Sequence, residues 1–225
     1  MILFKYIFII FASSLPFLTI AQNRYLTTSD SDTEALKIMK NAKSELQKAS
    51  SVLFDYTFTS VIPGSEPTVI NGKGVQKGDR YYLEMGNKTL YCDGKKLIVY
   101  DNTLNEAQIN DITDEEGQLT PGSLLKTFSP DEYIYVLAPD KKQKGKSYYS
   151  IVLKPADRYS EYSKIEFTIN KKSLLPYEVK MIMKDGIKNI LKINSIKMNQ
   201  DVNNNVFIFN KAEHPGVSVE DLRMN

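Results

Sequence analysis

The sequence predicts a mainly β protein with some α. It reads as a single curled antiparallel sheet, an unclosed or half β-barrel of about eleven strands. An N-terminal helix and a short mid-chain helix would cover it as a lid. Three observations predict this. One segment near the start repeats apolar residues at helical spacing: Ala35, Ile38, Met39, Ala42, Leu46 and Ala49. From residue 52 the apolar period becomes two, as where Phe54, Tyr56 and Phe58 alternate with Asp55, Thr57 and Thr59. Turn signals then recur evenly: Pro63-Gly64, Asn71-Gly72, Lys77-Gly78-Asp79, Asp93-Gly94, Asp185-Gly186 and Asn203-Asn204-Asn205.

Taken in order, residues 1–21 read as a secretory signal peptide. Lys5 precedes an apolar run, and Thr19-Ile20-Ala21 offers small residues for cleavage after Ala21. Ser13, Ser14 and Pro16 interrupt the run, so it falls short of the ~20 apolar residues of a spanning helix. Cleavage would leave 204 of the 225 residues. Gln22 rather than cysteine follows the site, so no lipid anchor is expected there. Residues 22–31 are polar and read as a flexible lead, with one domain over 32–225. Ser31-Asp32-Thr33-Glu34 has the form of a capping box, with Ser31 as cap. The strands are expected at 52–62, 67–77, 80–86, 88–92, 96–101, 105–110, 132–138, 147–154, 161–170, 175–184 and 187–199, with a short twelfth candidate at 205–209. Residues 120–128, with Pro121 at their start, read as the short helix.

The alternation assigns an inward face. Its candidates are Phe54, Tyr56, Phe58, Tyr81, Leu83, Met85, Leu97, Val99, Tyr133, Tyr135, Ile151, Leu153, Ile165, Phe167, Ile169, Val179, Met181 and Met183. These side chains would either close into a core or line a cavity for an apolar ligand under the helices.

Composition excludes much chemistry. Lys+Arg 29 against Asp+Glu 27 leaves +2, with no clustered excess that would suit nucleic acid. One His and one Cys cannot build a Cys/His zinc site or an intramolecular disulfide. His214 precedes Pro215-Gly216 and reads as a solvated turn residue, with no G-x-S-x-G elbow to serve. Cys92 lies in a strand without an evident base and reads as quiet. Asp111, Asp114, Glu115 and Glu116 lack the spacing of a calcium loop. No cofactor, metal or enzymatic activity is expected. The 14 Tyr and 10 Phe instead supply apolar contact surface.

Three segments in order carry a family likeness. They are Val75-Gln76-Lys77-Gly78-Asp79-Arg80-Tyr81, then Asp93-Gly94-Lys95-Lys96-Leu97-Ile98-Val99-Tyr100, and finally Val206-Phe207-Ile208-Phe209 followed by Pro215-Gly216-Val217-Ser218-Val219-Glu220-Asp221-Leu222-Arg223. Together they resemble the periplasmic outer-membrane lipoprotein carrier family, LolA, over about 32–223. The resemblance implies a half-barrel that binds acyl chains of lipoproteins in an apolar cavity. It also implies a periplasmic location and travel from an inner-membrane ABC-type releasing complex to an outer-membrane acceptor, as a monomer. On this reading the inward face given by the alternation supplies the cavity, at Phe54, Tyr56, Phe58, Tyr81, Leu83, Met85, Leu97, Val99, Ile151, Phe167, Met181 and Met183. The resemblance gives Lys77 a gating role, and the two helices read in the sequence supply the lid residues Ile38, Met39, Leu124 and Leu125. Lys77 stands where the family usually has Arg, and Tyr81 where it usually has Phe. Lys offers a point charge in place of a planar fork. The Lys141–Lys146 loop reads as a solvated hairpin end that could also face an acidic partner or membrane. The alternative is a general periplasmic lipid or hydrophobic-ligand carrier, or an envelope-sensing protein of the same fold.

Overall fold

The computed structural model describes residues 27–112 and 128–223. The signal segment, the acidic residues 114–116 and residues 120–127 of the expected short helix lie outside them.

Among the described residues one α-helix, α1 (Thr33–Gln47), leads into twelve strands. These are β1 (Val52–Val61), β2 (Thr68–Lys77), β3 (Arg80–Met85), β4 (Lys88–Cys92), β5 (Leu97–Asp101), β6 (Glu106–Asn110), β7 (Tyr133–Gln143), β8 (Lys146–Pro155), β9 (Tyr162–Asn170), β10 (Pro176–Met183), β11 (Lys188–Met198) and β12 (Ser218–Asp221). They form one sheet in the order β12-β6-β5-β4-β3-β2-β1-β11-β10-β9-β8-β7. Its two edges, β12 and β7, do not pair, so the barrel stays open. Every pairing is antiparallel except β12 against β6, which is parallel, and all the antiparallel pairs but β1 with β11 join consecutive strands.

The eleven expected strands all appear, most within one or two residues of their expected limits. The twelfth differs. Residues 205–209 do not form a strand, because the Asn203 side chain accepts from the Asn205 amide and starts a 3-10 turn, Asn204–Phe207. The last strand is Ser218–Asp221 instead. The strand β7 also runs past Pro139, where its register against β8 shifts between Ala138 and Lys141. An edge strand tolerates this, because a proline there need donate no ladder hydrogen bond.

The helix crosses the concave face from the β7 edge to β1. At its start the Asp32 amide donates to the Tyr135 carbonyl at 2.8 Å, and the Tyr135 amide donates to Ser31 Oγ at 3.1 Å. Ser31 is therefore spent on the sheet edge, and the cap is Asp32, whose Oδ1 accepts from the Glu34 amide at 2.9 Å. Pairing with β7 also shields part of that exposed edge. At the other end the Asn199 amide donates to the Ser51 carbonyl, and Ser51 Oγ donates to the Gln200 carbonyl. Between these anchors α1 buries Ala35, Ile38, Met39, Ala42 and Leu46 against the sheet. Asp32→Ala should cost about 1 kcal/mol through loss of the cap. A urea midpoint indistinguishable from that of the parent would show the cap to be idle.

Candidate functional site

Alternation sends one set of side chains to each face of the sheet. The concave set forms the main core with α1. Of the expected cavity residues, Phe54, Tyr56, Tyr81, Leu83, Leu97, Ile151 and Phe167 are buried in that core. Phe58, Val99 and Met181 are partly buried and packed on it. Met85 and Met183 are half-buried and lie outside the core. The other inward candidates, Tyr133, Tyr135, Leu153, Ile165, Ile169 and Val179, are in the same core. Phe128 joins it, with its ring edge-on to Tyr133 at 5.4 Å and to Phe167 at 5.6 Å. The core is thus an apolar layer that a single helix covers among the described residues.

Of the expected lid residues, Ile38 and Met39 lie on the buried stripe of α1. Leu124 and Leu125 lie outside the described residues. Lys77 is placed differently from a residue touching α1. Two positions beyond Val75, it belongs to the convex face. There its Nζ donates to the Val202 carbonyl at 3.2 Å and to Asn204 Oδ1 at 3.3 Å. Lys77 therefore holds down the segment that follows β11.

That segment is the part that sequence reasoning missed. After the 3-10 turn, Phe209 packs on Tyr91 at 5.5 Å and on Tyr100 at 5.4 Å. His214 is not a solvated turn residue: it is half-buried, stacked on Phe209 at 4.7 Å and close to Tyr100 at 4.2 Å. With Ile98, Ala107 and Val217 these rings form a second core on the convex face. The visible signal was the alternation of Tyr82, Tyr91, Ile98 and Tyr100 with the concave residues. What lay on them could not be read locally.

Cys92 is fully buried and free, and burial pushes its thiol above the ordinary value. That makes it a poor nucleophile. The Arg223 guanidinium and amide beside Asp221 hold that carboxyl down to about 2, at an exposed strand end.

Comparison with known proteins agrees with the geometry. The family model described as "Outer membrane lipoprotein carrier protein LolA" matches residues 74–210. An uncharacterized conserved protein of Thermus thermophilus has a similar fold, with a TM-score of 0.57 at 11% identity, over 84% of this chain and 99% of that one. A LolA superfamily protein of Nitrosomonas europaea aligns over 78% of this chain and 97% of its own, with a TM-score of 0.40 at 14% identity. An uncharacterized protein of Methanocaldococcus jannaschii is 23% identical over 77% of this chain, and the chain spans half the length of that curated relative. With a model match over more than half its length, the chain belongs to the outer-membrane lipoprotein carrier protein family, LolA.

Proposed function

We propose that the chain is a carrier of acylated proteins in the periplasm. It would take lipoproteins from an inner-membrane ABC-type releasing complex and pass them to an outer-membrane acceptor, holding their acyl chains between the concave face and α1. The observation that carries this reading is the family match over a sheet whose apolar concave face is covered, among the described residues, by one helix.

The energetics suit a reversible carrier. Each methylene removed from water contributes about 0.8 kcal/mol, so a chain of roughly fifteen contributes about 12 kcal/mol. Displacing α1 would expose Ile38, Met39 and Leu46, at about 1.5–3 kcal/mol each. Ala35 and Ala42 add little. The helix therefore offsets a substantial part of the acyl gain, leaving binding that favours cargo yet permits release. The hydrogen bonds at Asp32 and at Ser51 leave α1 tethered at both ends while its middle lifts. Met39 and Met181 can follow the shape of a chain, since unbranched thioethers adapt to irregular apolar space.

The test is native mass spectrometry of the protein taken from its own envelope fraction. Co-purifying acylated polypeptide is expected. Delipidated cargo should compete at least a hundredfold less well than the acylated form. Equal competition would sink the carrier reading. Free lipid alone would leave a general hydrophobe carrier in its place.

A further inference from the structure

A well-formed cleft among the described residues lies away from the concave face. It lies on the convex one, under the segment that Lys77 and Phe209 pin at either end. Its volume is about 660 Å³, within the range of small-molecule sites. The floor is one cross-strand row: Leu53 on β1, Val75 on β2, Tyr82 on β3 and Tyr91 on β4, each directly opposite the next. Val206 and Ile208 form the roof between the two pins. Ile208 is 53% exposed, unusual for a large apolar side chain that lines a cleft.

The polar groups around the cleft are unequal. Asp55 accepts from the Ser195 hydroxyl. Glu84 is occupied by Lys73 at 3.1 Å and by the Tyr82 hydroxyl. Glu213 accepts from Asn210 Nδ2 at 2.8 Å. Every carboxylate beside the cleft thus has a partner. Lys197, opposite Leu53 on β11, lines the cleft and has no carboxylate partner among the described residues. The row therefore begins with an unpaired ammonium and continues as an apolar and aromatic floor. From β11 to β4 it crosses four inter-strand spacings, about 19 Å in all, the reach of a long acyl chain.

We propose that this convex cleft is a second binding site, for a single-chain anionic amphiphile such as a free fatty acid. The carboxylate sits at Lys197 and the tail lies along Leu53, Val75, Tyr82 and Tyr91 beneath Val206 and Ile208. The site opens on the face opposite the core, because these residues alternate with the core residues Phe54, Tyr81 and Leu83 on the same strands, of which Phe54 alone also borders the cleft. A headgroup on Lys197 gains a charge-assisted contact that an ester cannot make.

The test titrates oleate and methyl oleate into the full mature chain by calorimetry, with and without a saturating acylated peptide. Oleate is expected to bind one per chain, at least tenfold more tightly than the ester, and to do so with the peptide present. Lys197→Glu and Ile208→Asp both alter exposed side chains and should leave the fold intact, as circular dichroism would show. Each should weaken oleate at least tenfold. Failure of oleate to bind, binding unchanged in both variants, or loss of oleate whenever the acylated peptide is bound would each overturn the proposal. Failure of the acylated peptide itself to bind would count against the carrier reading and leave the effect of Lys197→Glu as the measure of this site.

Discussion

Gly72→Ala is expected to destabilise the protein by 3 kcal/mol or more. A Cβ at this position would stand 2.2 Å from the Glu84 carbonyl oxygen and 2.5 Å from the ring and hydroxyl of Tyr56. The first obstacle is backbone and cannot rotate aside. Tyr56 is fully buried, its ring laid across Gly72 so that its hydroxyl reaches that same carbonyl at 2.7 Å. Overpacking a filled core typically costs about 1–3 kcal/mol, and more where no side chain can yield. Gly74→Ala meets a different obstacle. Its Cβ would fall 2.2 Å from the Phe54 ring, a side chain rather than backbone. The two variants therefore separate in their response to a second change. Phe54→Leu should recover part of the loss in Gly74→Ala, giving a coupling above about 1 kcal/mol in a double-mutant cycle. Tyr56→Phe should recover nothing in Gly72→Ala, because the carbonyl remains. Urea midpoints followed by circular dichroism would decide this. A Gly72→Ala protein within 1 kcal/mol of the parent would show that the strands can part where the structure holds them tight.

These glycines also show how much of the fold was legible. Asn71-Gly72 looks like a turn, yet it lies inside β2, opposite Thr57 and Tyr56. A glycine that admits a neighbouring strand's aromatic ring is indistinguishable in sequence from one that turns the chain. The concave face was readable because strands such as β1 and β3 keep their buried residues in alternate positions, and alternation is a local signal. Helix α1 was readable for the same reason, except for its first residue. Ser31 and Asp32 are both good caps, and the edge of β7, more than a hundred residues on, decides between them. All four residues of β12 are exposed, so it carries no alternation to detect. Its place is set by Val217 docking on the convex cluster and by the Ser218 amide donating to the Asn105 carbonyl at 3.1 Å. The concave candidates came from alternation. The convex cleft did not, because its roof lies far along the chain from its floor and no short-range pattern links them.

Above pH 10 the protein is expected to lose stability steeply, because its core holds tyrosines that must stay neutral. Burial, followed by the nearby Glu84 charge, pushes the Tyr56 hydroxyl up to about 12. Burial, followed by Tyr133, pushes Tyr135 up to about 12 as well. The unfolded chain ionises these groups near 10. Below pH 10 both states carry the proton and stability is unaffected. Between pH 10 and 12 the unfolded state gives it up and the folded state does not, so folding is progressively penalised. Each of the two contributes about 2–3 kcal/mol of loss by pH 12. Exposed lysine ion pairs, which also titrate in this window, are worth little by comparison. Phenylalanine variants give the control. Tyr135→Phe removes a donor to the Phe128 carbonyl at 2.5 Å, and Tyr56→Phe removes the donor to Glu84. Each should lower stability at pH 8 by about 1–3 kcal/mol, through the buried carbonyl left behind, while flattening the alkaline slope. Tyr81 should behave oppositely at pH 8. Its hydroxyl is buried beside the Cys92 thiol without hydrogen-bond geometry to any partner. Removing an unsatisfied buried hydroxyl forfeits no bond, so Tyr81→Phe should be neutral or stabilising there. It should also flatten the alkaline slope, because burial, with Cys92 adding to it, raises this hydroxyl too. A parent midpoint in urea that holds constant from pH 8 to 11 would contradict the placement of these hydroxyls in the core.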